Sequence, residues 1–130
     1  MNAHDHRELL QLSERLLECI RDADWDSYQA LCDPALTCFE PEARGHLVEG
    51  LEFHRFYFES GGHLGRHAST LCAPHVRPLG ADAAVVCYTR LVQRIGDDGR
   101  TATDRFEETR VWQRRAGTWR HVHFHRSAAS

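Results

Sequence analysis

The hydrophobic pattern of residues 5–22 predicts an amphipathic helix. Apolar side chains recur there every three or four residues, which is the repeat of a helix that buries one face. The positions that form the stripe are Leu9, Leu10, Leu12, Leu16, Leu17 and Ile20. We expect this helix to pack with its apolar stripe flat against a sheet.

Two shorter helices and two short strands are predicted next. The stretch "DADWDSYQALCDP" offers acidic N-caps to a helix that Pro34 ends. "LTCFEPEARGHLVEG" alternates like two short strands joined by a turn at Gly45. "EGLEFHRFYFES" predicts an aromatic helix that contains His54 and ends at Gly61 and Gly62. Because it is so rich in aromatic side chains, we expect this helix to be mostly buried.

The second half of the chain predicts a β meander. After the glycine-rich segment "SGGHLGRHA", which we interpret as a mobile loop or lid, the remaining chain favours strands. Their predicted ranges are Ser69–Leu79, Ala83–Ile95, Thr101–Arg115 and Thr118–Ser127. "GDDG" and "AG" are tight-turn signals, so the last three strands should be antiparallel neighbours. Pro74 and Pro78 place the first strand at a sheet edge or a bulge.

Helices followed by a long meander indicate an α+β fold, with the N-terminal helices on one face of a curved antiparallel sheet. We expect a single domain over residues 1–130, because no linker, repeat or low-complexity segment divides the chain.

Composition narrows the class of protein. The formal charge of −3 gives no strong basic field, so neither nucleic acid nor a membrane surface is an expected partner. No segment predicts a membrane span or a secretory leader. The five cysteines are odd in number and form no C-x-x-C pair, so we expect reduced core residues in a cytoplasmic protein.

Three successive predicted strands each place an arginine beside an aromatic residue on one face. Because residues i and i+2 share a strand face, the pairs are Tyr88 with Arg90, Trp112 with Arg110 and Phe124 with Arg126; Glu108 shares the face of Arg110, and Val122 that of Arg126. If this face is buried, the charges need compensation; Glu108 can satisfy one arginine, and the set suggests a pocket for a carboxylate or phosphate. The alternative is a solvated outer face with arginine stems over exposed aromatics.

The most conspicuous histidines lie in "RHVHFHRS". His121, His123 and His125 alternate along one strand, and two of them could chelate a metal. No further His, Cys or carboxylate lies at a recognised ligand spacing, so no metal site and no cofactor are predicted. We expect the three histidines to form the outward face of the strand. His54 should instead face the core or the pocket, as a hydrogen-bonded core residue or a ligand contact.

Several long runs give the chain a specific resemblance. "CDPALTCFEPEARGHLVEGLEFHRFYFES", "EETRVWQRRAGTWRHVHFHRS" and the "PHV" segment closely resemble the association (hub) domain of calcium/calmodulin-dependent protein kinase II. The resemblance extends from about Leu9 to Ser127. It implies the nuclear transport factor 2-like (cystatin-like) fold, a cone with a deep pocket, and assembly into a homo-oligomer, either a dimer or a ring of dimers.

The resemblance also implies a small-molecule site. In that family, pocket arginines bind small carboxylates. The matching residues here are Arg90, Arg110 and Arg126, with His54 and Tyr28 as neighbours and Phe53, Trp112 and Phe124 as walls. The chain departs from the family in two ways: the "SGGHLGRHA" segment is shorter, and His121 replaces an apolar residue. It starts at Met1 without a kinase region, so no kinase activity is expected from it.

Two functions follow as hypotheses, beside a purely structural one in which the chain is an oligomer or partner scaffold with a vestigial pocket. The first is a self-associating domain whose pocket binds a small carboxylate or similar anion. The alternative is an enzyme resembling ketosteroid isomerases and SnoaL-like cyclases, in which Glu108 or His54 would act as a base. Neighbouring arginines should lower the pKa of Glu108 and make it a poor base near neutral pH, so binding is preferred.

Overall fold

The computed structural model describes residues 1–60 and 66–128. The predicted order of helices and strands is confirmed. The elements are α1 (Ala3–Asp22), α2 (Trp25–Leu31), β1 (Cys32–Phe39), a 3-10 turn (Pro41–Ala43), β2 (Val48–Glu49), α3 (Glu52–Glu59), β3 (His67–Pro78), β4 (Ala83–Ile95), β5 (Thr101–Arg115) and β6 (Thr118–Ala128). The centre of the predicted loop or lid, residues 61–65, lies outside the described residues.

Local sequence signals define both ends of α1. The side chain of Asn2 accepts a hydrogen bond from the backbone N–H of Asp5, and the Asp5 carboxylate accepts one from the Asn2 N–H, which forms a capping box. The helix ends where Ala23 adopts a left-handed conformation. Between these ends, the predicted stripe buries Leu9 and Leu16 completely.

The six strands form one sheet in the order β2-β1-β6-β5-β4-β3. The meander from β3 to β6 is antiparallel, as predicted. However, β1 runs parallel to β6, so the sheet is mixed and not antiparallel throughout. The prediction missed this pair because β1 and β6 are joined by most of the chain, and no hairpin fixes their relative direction. As predicted for its prolines, β3 is an edge strand, with a register shift between Cys72 and His75.

A bulge in β6 changes which side chains point inward. Val111 pairs with His123 and Trp112 pairs with His121, so Val122 is an extra residue without its own partner. Consequently His121 faces the core and is fully buried, and Val122 does not share the inner face of Arg126. The prediction that all three histidines point outward is therefore wrong for His121, and correct only for His123 and His125, which are half-buried and exposed.

The aromatic helix α3 is less buried than expected. One of its sides packs inward through His54 and Phe58, four residues apart, and both rings lie near Tyr28. The other side leaves Phe56 65% exposed. A helix of eight residues buries only one side against its neighbours, so the prediction of a mostly buried helix is wrong. In the described part of the chain, no helix is long and apolar enough to cross a membrane.

Candidate functional site

A cavity of about 60 Å³ lies between the helices and the inner face of the sheet. This volume accommodates a few water molecules or a small ligand. Its lining contains all five residues predicted as ligand contacts: Tyr28, His54, Arg90, Arg110 and Arg126. The three arginines are each no more than 6% exposed, which overturns the alternative of a solvated arginine face.

Of the three residues predicted as pocket walls, only one lines the cavity. Phe124 lines the cavity. Trp112 is fully buried but packs deeper, beside the ring of His121, and does not line it. Phe53 is half-buried and contacts the rings of His54 and Tyr57 from outside the lining.

Glu108 is bound by two arginines on strands β4 and β5. Its Oε2 accepts a hydrogen bond from Nη1 of Arg90 at 3.1 Å, and its Oε1 accepts one from Nη2 of Arg110 at 3.0 Å. Tyr88 completes the cluster, because its hydroxyl donates to Oε1 of Glu108 at 2.6 Å and accepts from Nε of Arg110 at 2.7 Å. We call Tyr88, Arg90, Glu108 and Arg110 the Glu108 cluster. The sequence analysis predicted that Glu108 satisfies one arginine, whereas in the structure it pairs with two.

Burial and the two guanidiniums have opposite effects on the pKa of Glu108. Burial acts to raise it, but the charges of Arg110 and Arg90, with the hydrogen bonds to them and to Tyr88, outweigh burial and lower the pKa to about 2. The residue is 2% exposed. Glu108 is therefore an ionised structural partner of the arginines, as its position between them led us to expect.

Arg126 has two carboxylate partners that sequence reasoning missed. Its Nη2 donates to Oε2 of Glu42 and lies 3.5 Å from Oε2 of Glu40. We call Glu40, Glu42 and Arg126 the Arg126 cluster. The missed signal lay in "FEPEA": β1 is the parallel neighbour of β6, so residues that follow β1 come close to the end of β6. Without that parallel pair, the two glutamates had no visible connection to Arg126.

A buried nitrogen of the cavity-lining Arg90 has no hydrogen-bond partner among the described residues. Nε of Arg90 donates to Oγ of Ser69 and Nη1 donates to Glu108, but Nη2 is buried and makes no hydrogen bond within residues 1–60 and 66–128. A buried guanidinium nitrogen without an acceptor is costly. The cavity beside it is the place where an acceptor can be supplied.

Three potential metal ligands converge in the same region. Ligand atoms of Cys38, Glu40 and His54 all lie within 4.8 Å of one another. Nε2 of His54 is 3.4 Å from Sγ of Cys38 and 3.1 Å from Oε1 of Glu40. Sequence reasoning missed this group, because the three residues belong to no spacing known for metal sites.

The histidines of β6 do not converge. His121 points inward, where its Nε2 lies 3.4 Å from Nη1 of Arg110 and its Nδ1 lies 3.7 Å from Sγ of Cys32. His123 contacts the hydroxyl of Thr37 on the other face. Burial and the charge of Arg110 lower the pKa of His121 well below its usual value. The bulge thus separates the row that suggested a metal site in the sequence.

Comparison with solved structures first defines the fold class. A nuclear transport factor 2-like superfamily protein from Salmonella enterica superposes with a TM-score of 0.79 at 22% identity, covering 95% of this chain and 90% of that one. At this identity the likeness shows the fold alone. The α+β, nuclear transport factor 2-like prediction is confirmed.

More similar proteins define the family. The sequence model of the calcium/calmodulin dependent protein kinase II association domain matches residues 5–130. The chain is 48% identical over 128 residues to the calcium/calmodulin-dependent protein kinase type II alpha chain of Drosophila melanogaster, covering 95% of this chain but 24% of that protein. The hub homology domain of Chlamydomonas reinhardtii superposes with a TM-score of 0.90 at 43% identity, covering 97% of this chain and 99% of that one. The chain belongs to the calcium/calmodulin dependent protein kinase II association domain family, and it spans about a quarter of the length of its curated relatives.

Proposed function

We propose that this domain associates with copies of itself and that its cavity binds a small carboxylate. Membership of an association domain family supports the first half of the proposal. The observation that carries the second half is the buried Nη2 of Arg90, which has no acceptor among the described residues and lines the cavity.

The carboxylate is expected on the Arg90 side of the cavity. Two guanidiniums, those of Arg90 and Arg110, share the single carboxylate of Glu108, which leaves one positive charge in excess. A bound carboxylate balances this charge and accepts a hydrogen bond from the unpaired Nη2 of Arg90. Such charge-assisted hydrogen bonds are about twice as strong as hydrogen bonds between neutral groups. Tyr28 and His54 line the same cavity and orient the ligand. The carboxylates of Glu40 and Glu42 would repel the carboxylate of the ligand, so the negative end of the ligand lies away from them.

Thermal unfolding with butyrate as the probe tests this site. We expect butyrate to raise the melting temperature of the wild type and to have little effect on Arg90→Gln, which removes the free donor but leaves Arg110 on Glu108. Arg94→Gln is the matched control, because Arg94 lies on the same strand, is about 37% exposed and pairs with Asp104 away from the cavity. An equal shift in Arg90→Gln and the wild type would place the anion elsewhere. Absence of any shift with butyrate, acetate or succinate would overturn carboxylate binding.

Self-association is expected to use the outer face of the sheet. Val85, Val111 and His123 lie side by side across β4, β5 and β6 in consecutive register pairs, and all three are half-buried in the isolated chain. A solvated outer face of a sheet is normally polar. An uncharged, partly aliphatic centre is instead suited to contact with a second copy.

Light scattering of a charged variant tests this face. Val111→Glu places a charge at its centre, and we expect the molar mass to fall towards that of one chain. Thr103→Glu is the control, because Thr103 is exposed near the far end of the same strand. A monomeric wild type would overturn self-association, and an unchanged mass for Val111→Glu would exclude the outer face as its surface.

The enzyme alternative finds no support at Glu108. This residue does not line the cavity, and its pKa of about 2 makes it a poor base near neutral pH. His54 lines the cavity, so turnover of an enolisable ketone that is lost in His54→Gln is the result that would favour an enzyme.

A further inference from the structure

Cys38, Glu40 and His54 come from two parts of the chain and meet beside the cavity. Cys38 lies near the end of β1, Glu40 follows that strand, and His54 lies on α3. Cys38 is fully buried, and the side chains of Glu40 and His54 are 7% and 8% exposed. Glu40 and His54 also line the cavity, whereas Cys38 does not, so the group borders the cavity through these two residues.

The spacing of the three ligand atoms fits one small ion. In a tetrahedral zinc site with Zn–N of about 2.0 Å and Zn–S of about 2.3 Å, nitrogen and sulfur ligands lie roughly 3.5 Å apart and nitrogen and oxygen ligands roughly 3.3 Å apart. The observed separations are 3.4 Å between Nε2 of His54 and Sγ of Cys38, and 3.1 Å between that nitrogen and Oε1 of Glu40. Small shifts would admit the ion.

A second observation points to a missing ligand at this place. Oε1 of Glu40 is inaccessible to solvent and makes no hydrogen bond within the described part of the chain, although the His54 nitrogen is only 3.1 Å away. The approach is close, but its geometry is not that of a hydrogen bond. The other carboxylate oxygen, Oε2, faces Arg126 at 3.5 Å, which holds the carboxylate in place with Oε1 directed to His54.

We propose that Cys38, Glu40 and His54 form a binding site for a zinc ion, with the fourth coordination position open to the cavity. A thiolate and an imidazole select zinc over calcium or magnesium, which prefer oxygen ligands only. The thiolate and the carboxylate together balance the two charges of the ion. Binding displaces the thiol proton of Cys38, which leaves to solvent.

This site is separate from the carboxylate contact at Arg90. None of the three ligands belongs to the Glu108 cluster, so Arg90→Gln should leave zinc binding intact. His54 borders both sites, so the variants that tell the two proposals apart are Arg90→Gln, which touches only the carboxylate contact, and Cys38→Ser, which touches only the metal ligands.

Cobalt substitution gives a direct readout. We expect one Co²⁺ per chain to bind the metal-free domain with a thiolate-to-cobalt absorption band, and Zn²⁺ to displace it. Cys38→Ser should abolish the band, and Glu40→Gln should weaken binding by more than roughly a hundredfold, since loss of an outer hydrogen-bonding partner alone costs 10- to 100-fold. If Cys38→Ser does not fold, His54→Gln and Cys38→Ala test the same ligands.

A second cysteine of β1 provides the matched control. Cys32 is also buried and lies 3.7 Å from a histidine nitrogen, that of His121, but no metal-binding group of three includes it among the described residues. Cys32→Ser should therefore bind Co²⁺ like the wild type. No stoichiometric metal in the wild type, or equal binding by the wild type, Cys38→Ser and Glu40→Gln, would overturn the proposal.

Discussion

The Glu108 cluster and the Arg126 cluster use the same residue types in inverse proportion. In the first, two guanidiniums share one carboxylate; in the second, one guanidinium faces two carboxylates. Glu108 and Arg126 are direct register partners on β5 and β6, yet no ion pair joins them in the described structure. Glu108 pairs with Arg90 on the neighbouring strand β4, whereas Arg126 pairs with Glu40 and Glu42, which follow β1.

This difference makes the charge around the cavity asymmetric. Counted over the two clusters alone, the β4 and β5 side carries one excess positive charge and the β1 side one excess negative charge. The proposed carboxylate belongs to the first side and the proposed zinc ion to the second. The summed charge of the two clusters would hide both sites, because the excess of one cancels that of the other.

Neutralising Glu108 should have the largest effect on stability. Glu108→Gln keeps the side-chain shape but leaves Arg90 and Arg110 buried without a carboxylate, and breaking a buried ion pair costs about 3 to 5 kcal/mol of unfolding free energy. Urea unfolding measures this cost. Glu107→Gln is the control, because the neighbouring side chain is exposed and should change stability by less than about 0.5 kcal/mol. A similar small loss for both variants would mean that Glu108 is not the charge on which its cluster depends.

Acid should remove nearly the same contribution from the wild type. The pKa of Glu108 is about 2 in the folded chain and 4.5 in an ordinary glutamate, so the unfolded chain binds the proton first and stability falls as pH decreases. The contribution is present above about pH 5, amounts to about 3 kcal/mol, and is lost between about pH 5 and pH 2. Unfolding free energies of the wild type and Glu108→Gln should therefore converge over this range. Parallel pH profiles would contradict the lowered pKa.

The Arg126 cluster should tolerate loss of its centre better. Arg126→Gln removes the Arg126 cation from Glu40 and Glu42, but the Glu42 side chain is 19% exposed and can turn toward water. We expect a loss of about 1.5 to 3 kcal/mol, the usual worth of hydrogen bonds to charged groups. Urea unfolding of Arg126→Gln and Glu108→Gln under the same conditions compares the unfolding free energy that each cluster contributes. A larger loss for Arg126→Gln would reverse the proposed order of their burial costs.

The sequence predicted most of the fold because its signals are local. The stripe of α1, the turns "GDDG" and "AG" and the prolines of β3 each act within a few residues, and each predicted feature is present. The shared strand face of the arginines and their aromatic neighbours was also predictable, since alternation along β4 and β5 is uninterrupted, but alternation alone left open whether that face is the inner one. Those parts of the site needed only the two-residue period of a strand.

What the sequence did not predict depends on pairing between distant segments. Glu40 and Glu42 meet Arg126 only because β1 lies parallel to β6, and no local signal specifies that pair. His121 turns inward because one bulge residue, Val122, shifts the period. Cys38, Glu40 and His54 converge because α3 places His54 beside the end of β1, a contact between segments that no local signal specifies.

The smallest effect is expected at His121, where the bulge brings a neutral histidine against the Glu108 cluster. It faces Arg110 of β5 and Cys32 of β1, and burial, Arg110 and the more distant His54 and His123 all lower its pKa. The unfolded chain takes up a proton below about pH 6.5 and the folded chain does not, so wild-type stability falls as pH decreases through that value. His121→Leu removes this titration and also the contact with Arg110, so it should be slightly less stable at pH 7.5, with a difference that narrows toward pH 5.5. His125→Leu, on the exposed face of β6, should keep the wild-type pH profile. A constant difference between His121→Leu and the wild type in urea unfolding from pH 7.5 to 5.5 would show that His121 titrates normally in the fold.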